Sequence, residues 1–314
     1  SGVVYEFTRQ PDDAWKETAR LVDSTGYAQL RLGWSLSAEA NRFAAGAPTL
    51  TYGNGRAAIF ERDAKQAWKQ ITTLKPTGLT AGKASGWRDY FGAAIALSGD
   101  RIAVGGQGDA SKGDYTGAVF VFERQSNGTW PQKTKLMHSK AAVGEHFGSV
   151  LTMDGDALVV GVPYLTGKAD PVGGVVTFLR ATTGAWQQSA TIPAPAQVAK
   201  GDLFGASVAL RGADLLVGAS ARDANGVDSG AVYVYKRDAS TNAWKLQHEL
   251  KGTVAGAKLG FSVAFGSYQA FAGAIGVFTG AGGFSQLGLQ DFNCSAAGQC
   301  SCKTGFSGSL CVKP

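Results

Sequence analysis

Short apolar runs separated by polar turns recur along the whole chain. Five copies share a pair of glycines thirteen residues apart, and the first of each pair follows a bulky apolar residue. Between them lie two apolar runs and a tight turn, as in residues 93–97, 98–100 and 102–104. This spacing predicts a β-hairpin in each copy. The first glycines are Gly33, Gly92, Gly148, Gly205 and Gly260, and the second are Gly46, Gly105, Gly161, Gly218 and Gly273.

A second predicted hairpin is equally regular. An apolar run ends two residues before an arginine, and a tryptophan follows the arginine six residues later, or seven in the last copy. Each repeat of roughly 57 residues therefore has four predicted strands, named a to d. The arginines are Arg9, Arg62, Arg124, Arg180 and Arg237, and the tryptophans are Trp15, Trp68, Trp130, Trp186 and Trp244.

One four-stranded sheet of this size cannot bury both of its faces, so like sheets must pack on one another. Stacking around an axis gives a β-propeller, and we expect an all-β chain with five four-stranded antiparallel blades. The chain begins with a c–d pair at residues 2–21, which we expect to complete the last blade and close the ring. Alternatively, residues 276–290 form a c–d hairpin of their own, and the N-terminal pair belongs to a further blade.

Composition agrees with this architecture. Glycine provides 44 of 314 residues and charged residues only 17%, which favours short strands and tight turns. The basic residues outnumber the acidic ones by 30 to 24 but form no run, which argues against nucleic-acid binding. The uncharged stretch 259–290 is rich in glycine and alternates like strands, so we expect no membrane span.

These landmarks resemble the FG-GAP repeat family, the unit of the integrin α-subunit propeller. Phe91-Gly92 and Phe147-Gly148 match the FG element, and Gly46-Ala47-Pro48 matches the GAP element. The resemblance covers nearly all of residues 1–275 and implies a propeller. Calcium-binding integrin blades carry an aspartate-rich loop between strands a and b, whereas the turns here are short. We therefore expect no cofactor and no integrin-type calcium.

All four cysteines, Cys294, Cys300, Cys302 and Cys311, lie in the last 21 residues. Disulfides would place the protein in an oxidising compartment, and we expect it to be secreted, extracellular or at the cell surface. The segment is similar to the closing half of an EGF-like module, so the expected domains are a propeller at 1–290 and this module at 291–314. Spacing favours the pairs Cys294–Cys300 and Cys302–Cys311 among three connectivities.

The sequence offers no catalytic constellation. The three histidines, His138, His146 and His248, lie in no recognisable motif, so we expect no enzyme. A weak calcium candidate, with Asp223, Asn225 and Asp228, is also an ordinary tight turn. Sequons at Asn127 and Asn293 predict glycosylation if the source is eukaryotic.

In propellers the d–a and b–c loops share one face, where family members generally bind their partners. Aromatic residues and arginine dominate binding energy at interfaces and also stack on sugars. The alternative is that Trp87 and Tyr90 only cap the core. The candidate ligand-binding residues are Tyr52, Trp87, Arg88, Tyr90, Tyr115, Tyr164 and Arg222.

The sequence is compatible with three functions. The resemblance and the cysteine-rich end favour a non-catalytic extracellular adhesion or scaffold protein whose loops bind another protein, a matrix component or a filament. The second is a carbohydrate-binding propeller lectin, with a glycan as partner. The third, and least expected, is an enzyme.

Overall fold

The computed structural model of the chain describes residues 2–24, 31–48, 55–80, 82, 89–165, 172–266, 270–275, 287–289, 292–294 and 300–302. These residues form strands, turns and loops, with no helix among them. Consistently, the described part of the chain contains no helix with the length and apolarity that a membrane crossing needs. The chain divides into two compact units, Ser1–Pro193 and Ala194–Pro314.

The first unit begins with a two-stranded sheet and continues with three four-stranded sheets. The two-stranded sheet is β1 (Val4–Arg9) and β2 (Trp15–Leu21). The others are β3 (Ser35–Glu39), β4 (Arg42–Ala47), β5 (Arg56–Arg62) and β6 (Trp68–Leu74); β7 (Phe91–Ser98), β8 (Arg101–Gly106), β9 (Ala118–Glu123) and β10 (Gln132–Leu136); β11 (Val150–Asp154), β12 (Ala157–Val162), β13 (Gly174–Arg180) and β14 (Trp186–Pro193).

The second unit contains a fourth four-stranded sheet and two smaller ones. The four-stranded sheet is β15 (Phe204–Arg211), β16 (Asp214–Ala219), β17 (Ala231–Arg237) and β18 (Trp244–Lys251). A three-stranded sheet follows, with β19 (Ser262–Phe265), β20 (Ala270–Gly273) and β21 (Leu287–Leu289). The last pair is β22 (Phe292–Cys294) and β23 (Cys300–Cys302).

Each four-stranded sheet pairs its strands antiparallel in chain order, as propeller blades do. The predicted all-β class and the four-strand repeat are therefore confirmed. A register shift recurs between strands c and d, for example between Ile59 and Phe60 and between Thr177 and Phe178. A β-bulge at this place increases the local twist of the strand pair.

Both faces of the inner strands are buried in the first unit. Phe120 and Phe122 of β9 pack with residues of the preceding sheet such as Ile59, whereas Val119 and Val121 pack with the following sheet. Successive strand residues point to opposite faces, so one continuous apolar run fills two interfaces.

A strained turn precedes strand a in every repeat. The residue before each FG-type pair is not glycine, yet it has a positive φ. The following glycine has φ between 85° and 93°, a conformation that glycine adopts at little steric cost. The strained residues are Arg31, Tyr90, His146, Leu203 and Lys258.

The second glycine is required by close packing with the following repeat at Gly46, Gly105 and Gly218. A Cβ atom at Gly46 would overlap the carbonyl oxygen of Gly92 in the next sheet, and one at Gly218 would overlap that of Gly260. Because glycine lacks a Cβ, neighbouring sheets approach at these points. The thirteen-residue spacing therefore reflects close contacts between sheets as well as the hairpin within a sheet.

Three of the regularly spaced arginines, Arg62, Arg124 and Arg180, connect neighbouring sheets. Arg180 Nε lies 2.9 Å from Glu123 Oε1 of the preceding sheet, and Arg62 pairs with Glu6 of β1. Arg62 also lies over the ring of Trp68, with 4.5 Å between the guanidinium carbon and the ring centroid. The arginine and tryptophan landmarks are thus structural.

The predicted ring closure is not found among the described residues. The third strand beside β20 is Leu287–Leu289, whereas β1 and β2 form a sheet with each other alone. The segment treated as an alternative therefore supplies the strand that the N-terminal pair was expected to supply. The N-terminal tryptophan also differs from its counterparts, since Trp15 is 68% exposed and Trp130 is buried.

Candidate functional site

The b–c and d–a loops of each sheet emerge at the same end, as antiparallel order requires. Of the predicted ligand-binding residues, Tyr90, Tyr115 and Tyr164 lie on such loops of the first unit, and Arg222 lies on one of the second. Tyr52, Trp87 and Arg88 lie outside the described residues.

Two of the predicted tyrosines flank His146. The ring centroids of Tyr115 and His146 are 4.7 Å apart, and those of His146 and Tyr164 are 5.5 Å apart with an edge-to-face geometry. Tyr164 is 42% exposed, and the other two rings are half-buried. Burial lowers the pKa of His146 below its ordinary 6.5, so its imidazole is neutral at pH 7. We call Tyr115, His146 and Tyr164 the aromatic cluster.

The loop between β10 and β11 carries His146 and also a buried histidine and glutamate. His138 Nδ1 lies 3.1 Å from Glu145 Oε2 and 3.3 Å from Oε1. The side chains are only 5% and 1% exposed. A buried carboxylate beside Nδ1 holds the imidazole in one orientation and in the tautomer that carries the Nδ1 proton.

An open pocket of about 470 Å³ borders this pair. Its surface is mostly apolar, although lysine, glutamine, serine and threonine residues are among those that line it. Its lining residues are His138, Ser139, Lys140, Ala142, Glu145, Leu165, Gln188 and Thr191. Gln188 Oε1 accepts a hydrogen bond from the backbone N–H of Ser139 at 3.0 Å, which ties the loop to β14. The volume suits a small molecule.

The pocket and the aromatic cluster are neighbours in the chain. Glu145 lines the pocket and the next residue, His146, belongs to the cluster. In the same way, Tyr164 belongs to the cluster and Leu165 lines the pocket. The two features are therefore adjacent in sequence at two separate loops.

Asp89 occupies the position in its repeat that Glu145 occupies in the next. It is fully buried, and its Oδ1 accepts hydrogen bonds from the backbone N–H groups of Phe91 at 2.9 Å and Gly55 at 3.0 Å. Its Oδ2 has no partner among the described residues. Burial, with a smaller effect from Asp109, raises the pKa of Asp89. The neighbouring Tyr90 is half-buried in the strained turn.

Arg222 faces inward. Its side chain is 14% exposed, and Nη1 lies 3.4 Å from Asp202 Oδ2. Asp202 is the acidic residue two positions before Phe204, so it is the counterpart of Asp89 and Glu145. The pair supports the loop, and this side chain presents little of itself to a ligand.

The weak calcium candidate forms a hydrogen-bonded turn. Asp223 Oδ1 accepts from the backbone N–H of Asp228 at 2.8 Å, and Asp228 Oδ2 lies 3.6 Å from Lys258 Nζ. Asn225 donates its amide to the carbonyl oxygen of Gly252 at 3.0 Å. Across the described residues, no group of three or more His, Cys, Asp and Glu side chains could hold a metal ion.

The modification and disulfide predictions stay predictions. Asn127 is exposed on the β9–β10 turn, where its Oδ1 accepts from Thr129 Oγ1 at 2.7 Å. Asn293 lies on β22. Cys294 and Cys300 are directly opposite in the β22–β23 pair, which is compatible with a disulfide between them. Cys311, the expected partner of Cys302, lies outside the described residues.

Sequence reasoning missed the His138–Glu145 pair and the pocket. The six residues between them match no catalytic motif, and a buried pair is created by how the loop folds. The one available signal was that the d–a loops place an acidic residue two positions before the FG phenylalanine, at Asp89, Glu145 and Asp202.

The family comparison agrees with the repeat. The FG-GAP repeat model matches residues 77–122 and 186–235. The chain therefore contains repeats of a propeller-type family. The comparisons give no specific support for an integrin α subunit or for an EGF-like module. None of the curated proteins matches this chain.

Solved structures share the fold at low sequence identity. A protein from Lactobacillus plantarum is 12% identical with a TM-score of 0.58, over 95% of this chain and 76% of that one. A proposed 6-phosphogluconolactonase from Bacteroides uniformis is 11% identical with a TM-score of 0.55, over 94% and 82%. At these identities the likeness shows the fold alone.

The expectation of a non-catalytic extracellular adhesion or scaffold protein is contradicted by this comparison. One of these structural neighbours carries an enzyme's name, and neither is described as an adhesion protein. The expectation that the chain is not an enzyme is not confirmed. Because one fold hosts many functions, the function has to be inferred from the site.

Proposed function

We propose that this chain is a hydrolase that opens a small carbohydrate-derived ester, such as a lactone, in the pocket beside His138. The observation that carries the proposal is the buried Glu145–His138 pair at the wall of that pocket, with oxygen to nitrogen distances of 3.1 and 3.3 Å. A carboxylate that orients an imidazole is a recurrent arrangement for general-base catalysis.

The chemistry divides between the two residues. Glu145 accepts a hydrogen bond from the Nδ1–H group of His138, and the proton stays on Nδ1, which leaves Nε2 as the basic nitrogen. Nε2 takes a proton from a water molecule as its oxygen attacks the ester carbonyl. When the carbonyl re-forms, the bond to the ring oxygen breaks and the imidazolium returns the proton to that oxygen. One water is consumed and a hydroxy acid is released.

The substrate class rests on two supports. Lys140, Gln188 and Thr191 place a few polar groups in a mostly apolar pocket, and these can bind the hydroxyl groups of a ligand. The name of the Bacteroides uniformis neighbour supplies the lactone as a starting substrate. An extracellular location, a glycan partner and the lack of a cofactor stay predictions.

Hydrolysis of a panel of aldonolactones, followed by proton release, tests the proposal. We expect His138→Gln to lower kcat by about 100-fold or more, the contribution of a general base. His248→Gln, on the exposed face of β18, is the matched control and should keep full activity. Circular dichroism shows whether each variant is folded.

Glu145→Gln separates orientation from folding. Glutamine keeps the size of the side chain but can hold the imidazole in the wrong tautomer, so kcat should fall while KM changes little. Lack of turnover by the wild type on every lactone, or wild-type kcat in folded His138→Gln, would overturn the proposal.

A further inference from the structure

We propose that the aromatic cluster of Tyr115, His146 and Tyr164 is a second subsite that binds a neutral sugar ring, so that the ligand extends beyond the pocket. The inference rests on the proposed function for its ligand class. Nothing in the hydrolytic step uses these three rings, although two of them, His146 and Tyr164, directly follow or precede residues that line the pocket.

The make-up of the cluster suits a carbohydrate. Aromatic faces pack against the C–H groups of a sugar ring, while tyrosine hydroxyls and an imidazole bind its hydroxyl groups. Tyr164 is 42% exposed, and its ring contacts the His146 ring edge-to-face. A ring that only completed the core would be buried like Phe147, which is fully covered.

The charges around the cluster favour a neutral ligand. Burial keeps the His146 imidazole uncharged at pH 7. Lys112, a cation of the b–c loop that carries Tyr115, donates from Nζ to the carbonyl oxygen of His138 at 3.2 Å. Stacking on the three rings requires no charge on the sugar.

The backbone fixes the cluster next to the pocket. His146 has φ of 53°, so the chain turns sharply between Glu145 and Phe147. Glu145 lines the pocket, and His146, the next residue, belongs to the cluster. A ligand that fills both is larger than one sugar ring, and we infer that a disaccharide or a longer saccharide binds better than a monosaccharide.

Titration calorimetry with neutral disaccharides and their monosaccharide units tests the subsite. The folded His138→Gln variant serves as the background, because binding is then measured without turnover. We expect disaccharide Kd to rise at least 10-fold in Tyr164→Ala or Tyr115→Ala and to stay within about 3-fold in Tyr164→Phe, which keeps the ring. Tyr5→Ala removes an exposed aromatic of β1 and should leave Kd unchanged.

The outcomes separate the two proposals. Disaccharide binding that depends on the tyrosine rings supports the subsite even if no lactone is hydrolysed. Turnover that depends on His138, together with wild-type Kd and KM in Tyr115→Ala and Tyr164→Ala, overturns the subsite and leaves the hydrolase proposal standing. Failure of every neutral saccharide to bind also overturns the subsite.

Discussion

Gly105 of β8 lies against the carbonyl oxygen of Gly148, at a distance that leaves no room for a Cβ atom. This contact joins two successive sheets through backbone atoms. Gly105→Ala therefore has to push the sheets apart, and we expect the free energy of unfolding to fall by about 3 kcal/mol. Urea denaturation followed by tryptophan fluorescence measures the change.

Gly99→Ala is the matched control. Gly99 has φ of 55° and nothing within 4 Å of a built Cβ, so only backbone strain opposes alanine. The expected loss is about 1 kcal/mol. An equal loss in the two variants would mean that contact between the sheets does not require glycine at position 105.

Glu123 is the acceptor for Arg180 of the following sheet, at 2.9 Å, and its side chain is 13% exposed. Glu123→Gln removes the charge and should cost about 1–2 kcal/mol of unfolding free energy. Glu17→Gln, on exposed β2, should change stability by less than about 0.5 kcal/mol. A double-mutant cycle with Arg180→Gln that gives no coupling energy would contradict the pairing.

Asp89 should destabilise the protein increasingly as pH rises. Its folded-state pKa is raised by burial, so between about pH 3.8 and that raised value the folded state binds more protons than the unfolded one. Stability is therefore lost as pH rises through this window. The asparagine of Asp89→Asn does not titrate. We therefore expect the unfolding free energy of this variant, relative to that of the wild type, to increase as pH rises through the window.

Unfolding titrations from pH 3.5 to 7 measure this difference. Asp12→Asn, on the exposed β1–β2 turn, controls for a change of charge alone. A constant offset between wild type and Asp89→Asn would show that burial of this carboxyl does not favour its protonated form.

His146 should have the opposite pH dependence and destabilise the folded protein as pH falls. Its folded-state pKa is lowered by burial, so as pH falls below about 6.5 the unfolded state takes up the proton first and stability is lost. In His146→Gln this part of the loss should disappear, and His248→Gln should retain it. Parallel stability curves for wild type and His146→Gln between pH 7 and 5 would contradict the shift.

The sequence predicted the strands of the four complete sheets because their signals are local. Alternation of side chains, turn residues and the spacing of glycines act over a few residues, and the runs at 118–122 and 231–235 form β9 and β17 as expected. Ring closure by the N-terminal pair is not confirmed, because pairing between distant segments leaves no comparable local signal and Leu287–Leu289 occupies the edge of β20 where that pair was expected.

The candidate site was predicted in part. Tyr115 and Tyr164 were placed on the right end of the sheets by loop topology alone. Their meeting at His146, and the burial of Glu145 against His138, depend on how three loops fold over one another. Such contacts are set by packing and by the desolvation of a carboxylate.

By itself, the sequence determined that this is an all-β repeat protein with four strands to a repeat, because strand and turn preferences repeat at fixed spacing. Only the tertiary structure decided that a histidine and a glutamate lacking any motif share a buried hydrogen bond beside a pocket. The physical reason is that hydrogen bonding and burial depend on distances in space, whereas periodicity records only distances along the chain.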